Sequence, residues 1–219
     1  MRQICCHPAL LLGDEAFKAT HLTNSDPIET SESKPGKKNR KEIIKNVVSA
    51  NSAKLEALLE TLEPIMEEGA KVLVFSQFLG LIELLKRPLK ERGWPLYELT
   101  GATEHRGELV QKFQAHEGPA VFLISLKAGG AGLNLTAATY VVLFDPWWNP
   151  AVENQAIDRT HRIGQTQQVV AYRLLMKNTI EEKIRALQKS KGALAEDVLG
   201  EEKFSQSLTL NDLRYLLAD

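Results

Sequence analysis

Five short apolar runs, each followed by a segment of helical periodicity or a turn cluster, constrain this chain more than any other feature of it. The runs are VLVF (72–75), WPLYEL (94–99), VFLISL (121–126), YVVLFD (140–145) and VVAYRLL (169–175). They are apolar nearly throughout and do not alternate with polar residues. A strand of that kind needs cover on both faces, which a mostly parallel sheet with helices on both sides provides. The expected class is therefore α/β. In such sheets ligands bind beyond the carboxyl ends of the strands. Ser76-Gln77, Thr100-Gly101, the stretch from Ser125 to Gly132 and the stretch from Asp145 to Pro150 all fall at such ends.

The helices carry their own punctuation. Ser52 is placed to cap a helix whose apolar positions, Leu55, Leu58, Leu59, Leu62 and Ile65, recur at helical spacing until Gly69 stops it. LGLIELLKRPLKERG ends at Gly93, and EHRGELVQKFQAH forms the next helix. In NPAVENQAIDRTHRIG, Asn149 is the expected cap and Pro150 the first turn, and the periodicity predicts a helix running to Gly164. TIEEKIRALQKSKG, LAEDVLG and LTLNDLRYLLAD also read as helical. MRQICCHPALLL predicts a short helix ending near His7-Pro8, because a residue before proline avoids helical geometry. Residues 20–41 are polar and poor in large apolar side chains, and read as a loop or linker. The organisation expected is a connector over 1–50, a central α/β lobe over 51–190 and a C-terminal helical brace over 191–219.

Bulk properties exclude several classes. A net charge of -1 does not fit a histone-like basic protein, so any nucleic-acid contact must come from a local patch. The basic run Lys37, Lys38, Arg40, Lys41 is one such patch, or simply a solvated one. The two cysteines, Cys5 and Cys6, are adjacent and cannot frame a disulfide scaffold, so a reducing compartment is expected. No apolar run approaches the ~20 residues that a membrane-spanning helix needs.

Three constellations carry chemistry. SLKAGGAGLNL (125–135) places Gly129, Gly130 and Gly132 just past a strand, where backbone N–H groups could converge on an anion beside Lys127, or where the glycines merely make a tight turn. DPWWNP (145–150) sets Trp147 and Trp148 side by side at a strand end. Both could fill the core, or one could face a nucleic-acid groove or a neighbouring domain. Gln155, with Arg159 and Arg162 of DRTHRIGQ (158–165), gives positions i, i+4 and i+7, one stripe of the expected helix. Such a stripe is either a solvated face with an Asp158–Arg162 ion pair, or a pair of guanidinium groups fixed to neutralise a phosphoryl group during transfer. Lysine would be a poor substitute, since it lacks the planar fork. The chain has no GxxxxGK[ST] phosphate loop: Gly36-Lys37 is followed by Lys38 and has no strand before it. Metal ligands are not expected here.

In order and spacing, KVLVFSQF, LTGAT with Arg106 after it, SLKAGGAGLNLTAATYVVLFDPWWNP and QAIDRTHRIGQTQQVVAYRLLMKNTIEEKI resemble the second-lobe motifs of the Swi/Snf-type ATPases, a branch of helicase superfamily two. MRQICCHPALL is similar to the segment through which that family's first lobe passes into its second, SAKLEALLETL to the opening helix of the second lobe, and LAEDVLG and LTLNDLRYLLAD to its closing brace.

The resemblance implies a RecA-like lobe with helical N- and C-terminal extensions. It implies that ATP with magnesium is held mainly by a first lobe absent from this chain, and that Arg159 and Arg162 reach across to the γ-phosphate. Gly130, Gly132, Asn134, Gln155 and Asp158 would lie on the nucleotide side. Ser76, Gln77, Thr100, Gly101, Ser125, Lys127, Trp147 and Trp148 would line double-stranded DNA or couple it to ATP. The expected partners are duplex DNA and the first RecA-like lobe, with no membrane, and the chain is expected to be monomeric. Localisation would be cytoplasmic or nucleoid in a bacterium or archaeon, and nuclear in a eukaryote. The chain alone would be catalytically silent, as half of a DNA-dependent ATPase. Two other readings compete: a stand-alone nucleic-acid-binding module, and the lobe of a strand-separating helicase.

Overall fold

The apolar runs pair as an all-parallel sheet. The computed structural model describes residues 52–126, 133–147, 149–160, 165–195 and 209–217, together with 5–7, 10 and 128. In chain order the elements are α1 (Ala53–Glu67), β1 (Lys71–Ser76), α2 (Leu79–Glu91), β2 (Leu96–Leu99), α3 (Arg106–Ala115), β3 (Ala120–Ser125), β4 (Tyr140–Leu143), α4 (Pro150–Ile157), β5 (Val170–Arg173), α5 (Ile180–Ala195) and α6 (Leu210–Leu217). The strand order is β2-β3-β1-β4-β5. β1 sits at the centre, with Phe75 opposite both Ile124 of β3 and Leu143 of β4.

Successive residues of a strand point to opposite faces, and that divides the core in two. Val72 and Val74 of β1 pack with α1 and α2, through side chains such as Leu58, Leu62, Leu81 and Leu85. Leu73 and Phe75 pack on the other face with Phe113 of α3 and Ala156 of α4. β1 and β3 are buried along almost their whole length. The edge strands differ from the expectation of cover on both faces: β2 and β5 are mostly half-buried, and Tyr172 of β5 is exposed. Each has a neighbour on one side only, so Glu98 and Arg173 can be carried there without entering the core.

The local signals hold at most helix ends. The Ser52 hydroxyl accepts from the Leu55 N–H, and the Asn149 side chain accepts from Ala151 N–H with Pro150 in the first turn. Gly69 and Gly93 follow α1 and α2 with φ of 80° and 71°, the left-handed region that glycine enters without a Cβ penalty. α4 is shorter than its periodicity predicts. It ends at Ile157, whose carbonyl accepts both the Thr160 N–H at 3.0 Å and the Thr160 hydroxyl at 2.6 Å. A threonine hydroxyl that takes a helix carbonyl competes with the next helical turn.

The flanking segments belong to the same body where they are described. Cys5 and Cys6 are helical, as the sequence predicts, and Cys6 is buried in the core, its carbonyl accepting from Ser52 Oγ. The expected loop at 20–41 and residues 196–200 of the LAEDVLG segment lie outside the described residues. α5 runs past Gly192 to Ala195, and α6 packs on it through Leu216 against Ile184 and Leu187. The C-terminal brace therefore docks on this lobe.

One buried ion pair ties the two ends of the lobe. Lys54 Nζ lies 2.7 Å from both carboxylate oxygens of Glu181, and both side chains are almost wholly buried. Glu181 also accepts from the Met176 N–H. Removing one member of a buried pair strands the other charge, at a cost of about 3–5 kcal/mol. Lys54→Met alone should lower the urea-unfolding free energy by about that much. Lys54→Met with Glu181→Gln, which keeps an acceptor for Met176, should recover most of it. Equal losses in the single and double variants would contradict this account of the pair.

Candidate functional site

The carboxyl ends of β1, β3 and β4 converge on one polar cluster. β1 connects to strands on one side of the sheet and β4 begins the other side, so the crevice between them is the switch point of the topology. Asp145 stands there, 1% exposed. The Ser76 hydroxyl donates to its Oδ1 at 2.6 Å, and the Gln77 N–H donates to its Oδ2 at 3.2 Å. Gln77 Nε2 donates to the Pro146 carbonyl, and the Phe78 N–H donates back to Ser76 Oγ. Burial pushes the Asp145 carboxyl above its ordinary pKa, opposed by the hydrogen bonds from Ser76 and Gln77 and by the Lys54 charge. Burial also pushes the Cys6 thiol well above its ordinary value, with the Asp145 carboxylate adding to the effect.

Ser76 and Ser125, read from the sequence as nucleic-acid contacts, both face inward. Ser125 Oγ accepts from the Ala128 N–H at 3.2 Å. Their hydroxyls shape the turns after β1 and β3. Trp147 is 7% exposed and packs in the core against the α4 side of the sheet, so of the two open readings for this ring the core one holds. Trp148, Lys127, Gly130, Gly132 and Arg162 lie outside the described residues.

The turn after β2 is more open. The Thr100 N–H donates to Thr103 Oγ1 at 2.8 Å, and Arg106 clamps the loop by donating to the carbonyls of Thr103 and Gly101. Gly101 is exposed, with nothing within 4 Å of where a Cβ would stand.

The segment after α4 is stitched to the segment before β4. The Leu135 N–H donates to the Arg159 carbonyl at 3.1 Å. The Gln165 side-chain amide donates to the carbonyls of Thr136 and Ala138, and Gln114 of α3 donates to the Asn134 carbonyl. Asn134 is itself exposed. Arg159 is 3% exposed, whereas Gln155 is exposed on α4, so the two do not form the continuous helical stripe that the sequence predicts. The early end of α4 is the reason: the chain turns before Arg159, and its side chain enters the lobe.

Gln155 and Asp158 instead line an open polar cavity of about 490 Å³, walled also by Arg173, Arg185, Gln188 and Lys189. Beneath it Glu153 accepts from the Trp147 N–H at 2.9 Å and from Arg173 Nε at 3.0 Å. Sequence reasoning placed Asp145 at a strand end and Gln165 at the close of the arginine segment without giving either its partner, and passed over Glu153 and Gln188. The signal for Gln188 was available, since a polar residue four places after Ile184 interrupts the apolar face of α5. Among the described residues no group of three or more His, Cys, Asp or Glu could hold a metal ion.

Comparison with known proteins places this geometry. The profile of the helicase conserved C-terminal domain matches residues 53–164. The putative ATP-dependent helicase/translocase YwqA of Bacillus subtilis is 37% identical over 219 residues, 99% of this chain and 21% of that protein. The DNA repair protein RAD5 of Cryptococcus neoformans is 44% identical over 168 residues, 74% of this chain and 14% of that protein. Among solved structures, the C-terminal part of the Fun30 ATPase domain matches with a TM-score of 0.67 and 31% identity, covering 94% of this chain and 75% of that one. The Sulfolobus solfataricus SWI2/SNF2 ATPase core in complex with double-stranded DNA matches with a TM-score of 0.65 and 30% identity, covering 98% of this chain and 39% of that one. The chain thus spans about a fifth of the length of YwqA and less of RAD5.

Because the Ser76 hydroxyl favours the ionised Asp145, Ser76→Ala should raise the Asp145 pKa further. The midpoint of its side-chain carboxyl resonance in a pH titration by NMR reads this directly. Loss of a hydrogen bond to a charged group should also cost about 1.5–3 kcal/mol at neutral pH. That cost should shrink as the pH falls through the raised pKa, because the protonated carboxyl gains less from the hydroxyl. An unmoved midpoint would contradict the assignment.

Proposed function

The chain belongs to the family of helicase conserved C-terminal domains, in its Swi/Snf-type branch, and from that premise we propose that it is the second motor lobe of an ATP-dependent double-stranded DNA translocase. The observation that carries the reading is the bond from the Leu135 N–H to the Arg159 carbonyl. It holds the end of the glycine-rich turn against the start of the arginine segment. With the Gln165 amide gripping Thr136 and Ala138, it makes one ledge of two motifs that are far apart in the chain.

On this reading the bound nucleotide supplies the phosphoanhydride bond, and this chain supplies part of the surface that closes over it. Arg159 and Arg162 present guanidinium groups to the γ-phosphate, where a planar fork neutralises charge that is spread over several oxygens. Gln155, Asp158 and Asn134 lie along the same edge. Thr100 and Gly101, on the exposed loop that Arg106 clamps, contact the phosphate backbone of duplex DNA, as does Gln77 at the end of β1. Ser76, Ser125 and Trp147 act from beneath by fixing the turns. Arg159 comes to the nucleotide by a turn of the segment after α4, since its side chain is buried in this structure. A first lobe with its own phosphate loop and magnesium site completes the motor, and the action on duplex DNA is translocation that remodels DNA-bound complexes.

In a protein carrying both lobes, Arg159→Lys keeps the charge and most of the buried stem but loses the fork. That variant and Arg162→Ala should each lower DNA-stimulated ATP turnover by a factor on the order of 10³ or more. Turnover within about threefold of wild type in both would contradict the finger assignment.

A further inference from the structure

Trp147 lies in the turn between β4 and α4, and a residue from a distant helix holds its backbone. Gln188 of α5 is 2% exposed. Its Nε2 donates to the Trp147 carbonyl and, at 3.3 Å, to Glu153 Oε1. Its Oε1 accepts from Arg185 Nη1 at 3.0 Å. Glu153 completes the ring by accepting from the Trp147 N–H and from Arg173 Nε of β5. Both backbone polar groups of Trp147 are therefore satisfied by side chains, one from α4 and one from α5.

The chemistry selects an amide at 188. Its donor end faces two acceptors and its acceptor end faces a cation. A carboxylate there would set oxygen against the Trp147 carbonyl and the Glu153 carboxylate, and an aliphatic side chain would leave the Trp147 carbonyl buried and unpaired. Leu187, the preceding residue, packs against Leu216 of α6. One turn of α5 thus faces the C-terminal helix on one side and the strand-end turn on the other.

We propose that Gln188 is a positioning residue that locks Trp147 and α4 to α5 and so makes α5, with α6 packed on it, part of the motor's moving geometry. The inference rests on the motor reading for its consequence, because that turn and α4 lead into Gln155, Asp158 and Arg159. It needs only the hydrogen bonds above for its structural claim. In its absence α5 would no longer move with the turn and α4 when the lobes close, since Glu153 and the Asn149 cap tie that turn to α4 alone, and DNA binding would be poorly transmitted to ATP turnover.

Two measurements on Gln188→Met, which keeps length and volume, separate the layers. Hydrogen exchange on this chain should show the Trp147 amide, whose N–H is held by Glu153, losing protection by about tenfold, because the turn opens more often once the bond from α5 to its carbonyl is gone. The amides of β1 and β3 should stay within about twofold. Arg185→Met, at a less buried position, should give the same local pattern more weakly, and it serves if Gln188→Met does not fold. In the two-lobed protein, Gln188→Met should lower DNA-stimulated kcat about tenfold while the KM for ATP and the unstimulated rate change little. Wild-type protection at Trp147 in both variants would overturn the lock. Uniform loss across β1 and β3, or equal loss of stimulated and unstimulated rates, would reduce Gln188 to a general stabiliser and also overturn it. A wild-type two-lobed protein without any DNA-stimulated turnover would instead count against the motor reading, and the exchange result would stand apart from it.

Discussion

A buried carboxylate at the switch point of the sheet sets the geometry of everything above it. Asp145 ends the run after β4, Ser76 ends β1, and the bond between them closes the crevice where the strand order turns. Isolating a charge there would cost several kcal/mol; the hydroxyl, the Gln77 N–H and the nearby Lys54 offset that cost. In return the turns after β1 and β4 are held in register, and at the end of β3 the Leu126 N–H donates to the Ser76 carbonyl. Lys54 in turn is held by Glu181, so the charge balance at the crevice depends on both the first and the fifth helix.

Much of this arrangement was legible in the sequence because its causes are local. Apolar runs marked the strands, Ser52 and Asn149 marked helix starts, and Gly69 and Gly93 marked helix ends. What was not legible depends on partners far along the chain. Nothing near Ser76 announces a carboxylate 69 residues away, and nothing near Lys54 announces one 127 residues away. Glu153 reads as a solvated helix residue, yet it is buried because Arg173, Gln188 and the Trp147 N–H converge on it. The length of α4 was misread for a local reason. Periodicity continues through Arg162, but the Thr160 hydroxyl takes the Ile157 carbonyl and the helix stops.

The early stop of α4 has a functional side. A continuous helix would fix Arg159 on an exposed face beside Gln155. The observed turn buries the side chain and gives its backbone carbonyl to Leu135. A short segment after a helix can reorient by changing a few backbone torsions, whereas a residue within a helix moves only with the whole helix. On the proposed reading, an arginine held in this way would be brought to the nucleotide only when the lobes close.

The central claim is that this chain is half of a motor, completed by a first lobe and by DNA. The most direct test is ATP hydrolysis by the chain alone, with and without duplex DNA, then by the chain joined to a first lobe that carries a phosphate loop. The account predicts silence in the first two cases and DNA-stimulated hydrolysis in the third. Hydrolysis by the chain unaided would reveal a phosphate cradle within these 219 residues and would contradict the account.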